Sequence, residues 1–272
     1  MIKINKEVFK PEYFPDGTMK LNMCNTDNIV DISWFYDSES ELIQLYYIVS
    51  HVFDQDPEAY ISLFMPYVPN ARFDRVKNEK ERFTLKHFSE FINNLGFNEV
   101  TVFDPHSYVS EALINRLCIQ NPLIFIHKSI NRITKTPEEL LLFFPDEGSV
   151  KRYEDVIKTY PNSPYAFGIK NRDWTTGQIK GLSVNGQTDK IKDRDVLIID
   201  DICSKGGTFY HSALKLKELG ANKIYLYISH CENTIYEGEL LKNNGLIEKI
   251  YTTDTILTNL ESPKIELVGR FR

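Results

Sequence analysis

Residues 195–227 leave this chain few folds to choose from. Positions 196–199 (Val-Leu-Ile-Ile) are apolar throughout, as a strand buried on both faces requires. A polar turn over 200–207 follows. The spacing of Phe209, Ala213, Leu216 and Leu219 then predicts a helix, stopped by Gly220, and an apolar strand resumes over 224–228. A strand, a helix and a second strand in that order form a crossover between parallel strands, so the fold class is α/β.

The same alternation runs through the rest of the chain. Strands are predicted over 61–68, 100–103, 140–144 and 165–169. A helix capped by Thr84 carries Leu85, Phe88, Ile92 and Leu95 on one face and stops at Gly96, and a second helix spans 148–160. Residues 175–194 are polar and turn-rich, long for a loop in a compact domain, and are a candidate flap. Three strands end directly in an acid, at Asp104, Asp146 and Asp200. Ligands of open α/β sheets sit beyond the carboxyl ends of strands. At about 150 residues per domain, 272 residues make about two domains.

Charge and cysteine placement exclude several functions. With 32 basic and 38 acidic side chains the formal charge is −6, which argues against a dedicated nucleic-acid binder. No apolar run approaches the ~18 residues that span a membrane, and no apolar segment follows the first lysines, so neither a membrane partner nor a signal peptide is expected. Cys24, Cys118, Cys203 and Cys231 lie far apart, without a Cys-x-x-Cys pair. They read as reduced thiols of a cytoplasmic protein rather than a zinc site or disulfide scaffold.

The segment Asp200-Asp201-Ile202-Cys203-Ser204-Lys205-Gly206-Gly207-Thr208 carries the clearest chemistry. Two carboxylates at a strand end can accept hydrogen bonds from vicinal sugar hydroxyls. Glycines at a helix start let a phosphate approach the free backbone N–H groups, and Thr208 adds a hydroxyl. The loop is shaped for a ribose bearing a phosphate. A capped helix start with a Gly-Gly turn is the plainer alternative.

This string resembles the phosphoribosyl-diphosphate (PRPP) loop shared by phosphoribosyltransferases and ribose-phosphate pyrophosphokinases. Other segments resemble the second family specifically. Met65-Pro66-Tyr67-Val68-Pro69-Asn70-Ala71-Arg72-Phe73-Asp74-Arg75 is similar to its Pro-Tyr-x-Pro-Tyr-Ala-Arg-Gln-Asp-Arg. Asp104-Pro105-His106-Ser107 resembles Asp-Leu-His-Ala, and Phe144-Pro145-Asp146-Glu147-Gly148 resembles Pro-Asp-x-Gly-Gly. Lys170-Asn171-Arg172 resembles Lys-x-Arg, Phe14-Pro15-Asp16-Gly17-Thr18 resembles Phe-x-Asp-Gly-Glu, and Thr252-Thr253-Asp254-Thr255-Ile256 resembles Thr-x-Thr-Ile.

The resemblance implies two tandem phosphoribosyltransferase-like α/β domains, expected at 1–130 and 131–272, each with a mainly parallel sheet flanked by helices. It implies transfer of the β,γ-diphosphoryl group of ATP to the C1 hydroxyl of ribose 5-phosphate, with Mg²⁺, giving PRPP and AMP. Arg72, Asp74, His106 and Asp16 would bind ATP. Asp200, Asp201, Cys203, Ser204, Lys205, Gly206, Gly207 and Thr208 would bind the ribose phosphate. His106 and Asp146 would attend the Mg²⁺, although Asp146 reads equally as a helix N-cap. Lys170 and Arg172 would stabilise the transition state. Cations at alternate positions of an extended segment point to one side, which suits a transferring phosphoryl group. Homodimers or homohexamers are implied as well.

Two departures stand out. Ser204 and Lys205 occupy positions where the family has an acid and Thr, so the 5′-phosphate end of the loop loses a negative charge and gains a cation. Drift explains this, or else an acceptor bulkier at its 5′ end, such as ADP-ribose. Thr18 stands where the family has Glu, in a segment that contributes to the adenine pocket. A phosphoribosyltransferase would share only the 200–208 loop, and a non-catalytic regulatory homologue would be expected to lose residues that remain here.

Overall fold

The computed structural model describes residues 1–23, 28–76, 78–172, 179–242 and 245–272, with side chains for all of these except 170–172 and 179–181. Cys24 lies outside them. Two units divide the chain, Met1–Asn121 and Pro122–Arg272. The division falls ahead of the expected 130/131 because a helix over Leu123–Ile133 packs Ile126 and Ile130 into the second unit's core.

In the first unit the strands are β1 (Ile2–Ile4), β2 (Glu7–Val8), β3 (Glu12–Tyr13), β4 (Met19–Lys20), β5 (Ile29–Trp34), β6 (Tyr60–Phe64), β7 (Glu99–Phe103) and β8 (Leu117–Gln120). Six of them form a sheet in the order β2-β1-β5-β6-β7-β8. The run β5 to β8 is parallel, while β1 is antiparallel to both neighbours. Helices α1 (Glu41–Gln55), α2 (Thr84–Asn94) and α3 (Tyr108–Leu113) make the crossovers. Val30, Ile32, Ile61, Leu63, Val100 and Val102 alternate along the strands and bury against Leu45, Ile48, Val52, Leu85, Phe88 and Ile92. Each such side chain contributes about 1.5–3 kcal/mol by leaving water. The strand predicted over 61–68 ends at Phe64, since Pro66 has no N–H to give a ladder. Thr84 is the first helical residue, not the cap, which is Phe83.

The second unit opens with α4 (Leu123–Ile133). Its strands are β9 (Leu141–Phe144), β10 (Tyr165–Arg172), β11 (Ile179–Gly186), β12 (Val196–Cys203), β13 (Ile224–Cys231), β14 (Lys249–Thr253) and β15 (Ile265–Gly269), with helices α5 (Glu147–Arg152), α6 (Glu154–Thr159), α7 (Gly207–Glu218) and α8 (Glu239–Lys242). The sheet order is β11-β10-β9-β12-β13-β14-β15, parallel except for β11. Leu141, Phe143, Val196 and Ile198 face α7, while Leu142, Phe144, Leu197 and Ile199 face α4 and α6. Both faces are covered, so β9 and β12 read as unbroken apolar runs.

Three sequence expectations change here. The helix over 148–160 breaks into α5 and α6 at Tyr153, whose ψ of 29° leaves the helical range while its ring stacks on Phe144. Strand β12 continues through Asp200 and Asp201, because Ile202 pairs with His230 and Cys203 with Cys231, so the turn is shorter than 200–207. Much of the candidate flap is strand β11, and residues 173–178 lie outside the described residues. Among the described residues no helix is long and apolar enough to cross a membrane.

Candidate active site

The chain passes from β9 to β10 on one side, then returns to β12 on the other. The carboxyl ends of β9 and β12 therefore flank a topological switch point, where α/β folds bind ligands. Asp146 follows β9 and caps α5, its Oδ1 accepting from the Ser149 N–H at 3.0 Å. The Ser149 hydroxyl lies 3.2 Å from Asp146 Oδ1 and 3.1 Å from Asp200 Oδ1. Arg152 Nη1 stands 2.8 Å from Oδ1 of Asp201, which is 3% exposed. Three acids singled out in the sequence thus gather around one face of α5. Ser149 and Arg152 were not singled out. Their signal was the spacing 146, 149, 152, which puts one side of a helix against whatever Asp146 faces.

Burial, foremost, and then the charge of Asp201 hold the Asp200 carboxyl well above the ordinary carboxylate range; Asp146 pushes the same way and Arg152 opposes it. A serine hydroxyl has one proton to donate. The Ser149 hydroxyl donates towards both Asp146 and Asp200, so the two carboxylates share its single proton. Asp201 lies beside the Arg152 guanidinium.

The loop after β12 is held from below. Gly206 has φ +76°, a conformation that favours glycine, and its Tyr210 N–H to carbonyl bond of 2.9 Å starts α7. A Cβ on Gly207 would meet nothing within 4 Å, so that side of the helix start is open. Ser204 Oγ is buried without a hydrogen-bond partner among the described residues. Lys205 Nζ pairs with Glu237 Oε2 at 2.8 Å on the exposed side. A Cβ on Gly238 would lie 1.8 Å from the Lys205 carbonyl oxygen, so the segment after β13 presses on the loop's backbone. Cys203 is fully buried in the core and supports the loop from inside. A hydrogen bond with Cys231, then burial, pushes its thiol well above the usual range.

In the first unit, Asp74 and the turn after β7 come together. Ser107 Oγ donates to Asp74 Oδ2 at 2.8 Å, and Arg75 Nε lies 3.2 Å from Asp74 Oδ1. Asp104 is buried with φ +39°, turning the chain sharply so that His106 and Ser107 leave the end of β7. Arg72 is exposed, after a turn at Asn70 with φ +63°. Asp16 sits apart, on the turn joining β3 and β4. Its hydrogen bonds run to the Thr18 N–H and hydroxyl at 2.9 and 2.7 Å, and these hold its carboxyl below the ordinary range. Thr18, which departs from the family pattern, therefore closes its own turn. The backbone of Lys170 and Arg172 is the end of β10, beyond its pairing with β9 and paired with β11; their side chains lie outside the described residues.

No protein-family profile matches the chain. It is 25% identical over 267 residues to a ribose-phosphate pyrophosphokinase of Saccharolobus solfataricus, covering 95% of this chain and 86% of that one. It is 26% identical over 267 residues to a ribose-phosphate pyrophosphokinase of Pyrococcus abyssi, covering 97% and 88%. Its fold follows that of the phosphoribosylpyrophosphate synthetase from Mycobacterium smegmatis, with TM-score 0.78 and 16% identity over 95% of this chain and 84% of that chain. Over nearly its whole length the chain is similar to ribose-phosphate pyrophosphokinases. Its architecture is accordingly two tandem phosphoribosyltransferase-like α/β domains. Against the Pro-Asp-x-Gly-Gly pattern of the ribose-phosphate pyrophosphokinases, Ser149 replaces the last glycine, and its hydroxyl is the one that bridges Asp146 to Asp200.

Proposed function

We propose that this protein is an ATP-dependent pyrophosphokinase that moves the β,γ-diphosphoryl group of ATP to the C1 hydroxyl of ribose 5-phosphate, giving PRPP and AMP. The observation that carries this reading is the end of β12. Two adjacent aspartates there lead into a glycine turn whose serine hydroxyl is buried and, among the described residues, unpartnered.

Asp200 and Asp201 accept hydrogen bonds from the ribose hydroxyls. The N–H groups at the start of α7, with Ser204 and Thr208, donate to the 5′-phosphate. Arg72, Asp74, His106 and Asp16 bind ATP. The C1 oxygen forms a bond to the β-phosphorus as the bond from that phosphorus to the α-phosphate oxygen breaks, and AMP departs. Lys170 and Arg172 neutralise the charge that spreads over the transferring group, which is most of what a protein supplies in phosphoryl transfer.

Mg²⁺ suits the donor set. It takes oxygen ligands, keeps several waters and needs only one or two carboxylates beside substrate phosphates. Among the described residues no group of three or more His, Cys, Asp or Glu could hold a metal ion alone. In the second unit Asp146 would supply a carboxylate to it, and His106 is the candidate the resemblance names in the first unit; the ion would neutralise phosphate charge.

The Lys205–Glu237 pair supports ribose 5-phosphate over an acceptor more highly charged at its 5′ end, since the added cation already has a counter-charge. A cytoplasmic location and a homodimeric or homohexameric assembly belong to the same proposal, and mass in solution tests the assembly. Purified protein incubated with ATP, Mg²⁺ and either ribose 5-phosphate or ADP-ribose, with products resolved by chromatography, tests the reaction. AMP and PRPP from the first acceptor are expected. No AMP from either acceptor would point to a non-catalytic homologue, and turnover of ADP-ribose alone would change the acceptor.

A further inference from the structure

The α5 helix is six residues long and carries little packing of its own, with Ser149 its buried residue. Yet it makes three polar connections in succession. Asp146 caps it, Ser149 reaches Asp146 and Asp200, and Arg152 reaches Asp201. Positions three apart on a helix lie on one face. One short helix therefore grips two consecutive aspartates that belong to a different strand.

Consecutive residues of a strand point to opposite faces. Asp200 and Asp201 would diverge if nothing opposed this, whereas a vicinal diol needs acceptors held in fixed positions. Ser149 Oγ donates to Asp200 Oδ1 and so limits that carboxylate's rotation, while Arg152 Nη1 holds Asp201 Oδ1 by a charge contact at 2.8 Å. A buried carboxylate beside two others also needs a counter-charge, and Arg152 supplies it. We propose that Ser149 and Arg152 are positioning residues for the acceptor sugar: they orient Asp200 and Asp201 and touch no substrate themselves. This rests on the reaction proposed above, because it names how that site is held.

The distinguishing test is a split between the two substrates. Steady-state kinetics of the full chain would be measured for Ser149→Ala, Ser149→Gly, Arg152→Ala and Arg152→Lys, with Lys158→Ala as a control for loss of a cation on the neighbouring α6. A misplacement of about 1 Å costs on the order of 100-fold, so Arg152→Ala should raise the ribose 5-phosphate KM about that much. ATP KM should stay within about twofold, as for loss of uniform binding of one substrate. Arg152→Lys should recover part of the loss. Should Arg152→Ala fail to fold, Ser149→Ala, which removes one neutral atom, should still fold, with a lowered melting temperature, and raise the acceptor KM about tenfold while ATP KM holds. Equal changes in both KM values, or none in either serine variant, would overturn the assignment while an active wild type kept the reaction. A wild type inactive with ribose 5-phosphate would remove the reaction and this assignment together.

Discussion

Ser107 gives its hydroxyl to Asp74 across 2.8 Å, and this bond joins the segment after β6 to the turn after β7. The same hydroxyl lies 3.2 Å from the Val109 N–H and caps α3. Arg72 and His106 are thus carried on two segments with a shared fastening. Ser107→Ala should loosen both. A neutral hydrogen bond contributes about 0.5–1.5 kcal/mol, so ATP KM should rise about three- to tenfold while ribose 5-phosphate KM holds. An unchanged ATP KM would show that Asp74 does not order the nucleotide segment.

The raised carboxyl of Asp200 has a consequence for stability. Its folded pKa exceeds the unfolded value of about 3.9, so between the two the native state binds more protons than the unfolded chain. Stability must then fall as pH rises through that window. Asp200→Asn removes the penalty. The variant should melt higher than wild type at pH 7 and show a smaller decline from pH 4 upward, while losing acceptor binding. Thermal unfolding across pH checks this, and a variant that melts lower at neutral pH would contradict the direction.

Two glycines near the loop should behave oppositely. Alanine at Gly238 would set a Cβ 1.8 Å from the Lys205 carbonyl oxygen and 2.7 Å from its carbon, so backbone must move. Overpacking of this kind costs about 1–3 kcal/mol, and the displaced loop should weaken acceptor binding as well. Alanine at Gly207 meets nothing within 4 Å and improves helix propensity by up to about 1 kcal/mol. Gly207→Ala should leave the melting temperature unchanged or higher, yet raise acceptor KM by crowding the approach of phosphate. Melting curves and acceptor KM for both variants test the contrast.

Lys170→Ala should fold like wild type and lose about 10³-fold in kcat, as other groups that stabilise transition-state charge do when removed. KM values should change little, because the charge it meets develops during transfer. Single-turnover AMP formation measures the step, and near-full turnover would remove Lys170 from the chemistry.

Much of this was readable from residues alone. The apolar run before Asp200 identified a strand buried on both faces, and the Gly-Gly turn after it marked a helix start, because backbone sterics and burial act over a few neighbours. Asp146 at the end of β9 could be read both as a cap and as a site acid, and its carboxylate does cap α5 while lying beside Ser149 and, through it, Asp200. The break of the helix at Tyr153 was hidden, since it depends on a ring finding Phe144 from another element.

Local pattern thus established the α/β class and the strand ends. It could not establish which residues of the candidate site touch. Arg152 and Asp201 face each other only because β9 and β12 are hydrogen-bonded neighbours, and Cys203 turned inward because its strand kept pairing with β13. Such choices depend on contacts between distant parts of the chain, whose energies no short window of sequence contains.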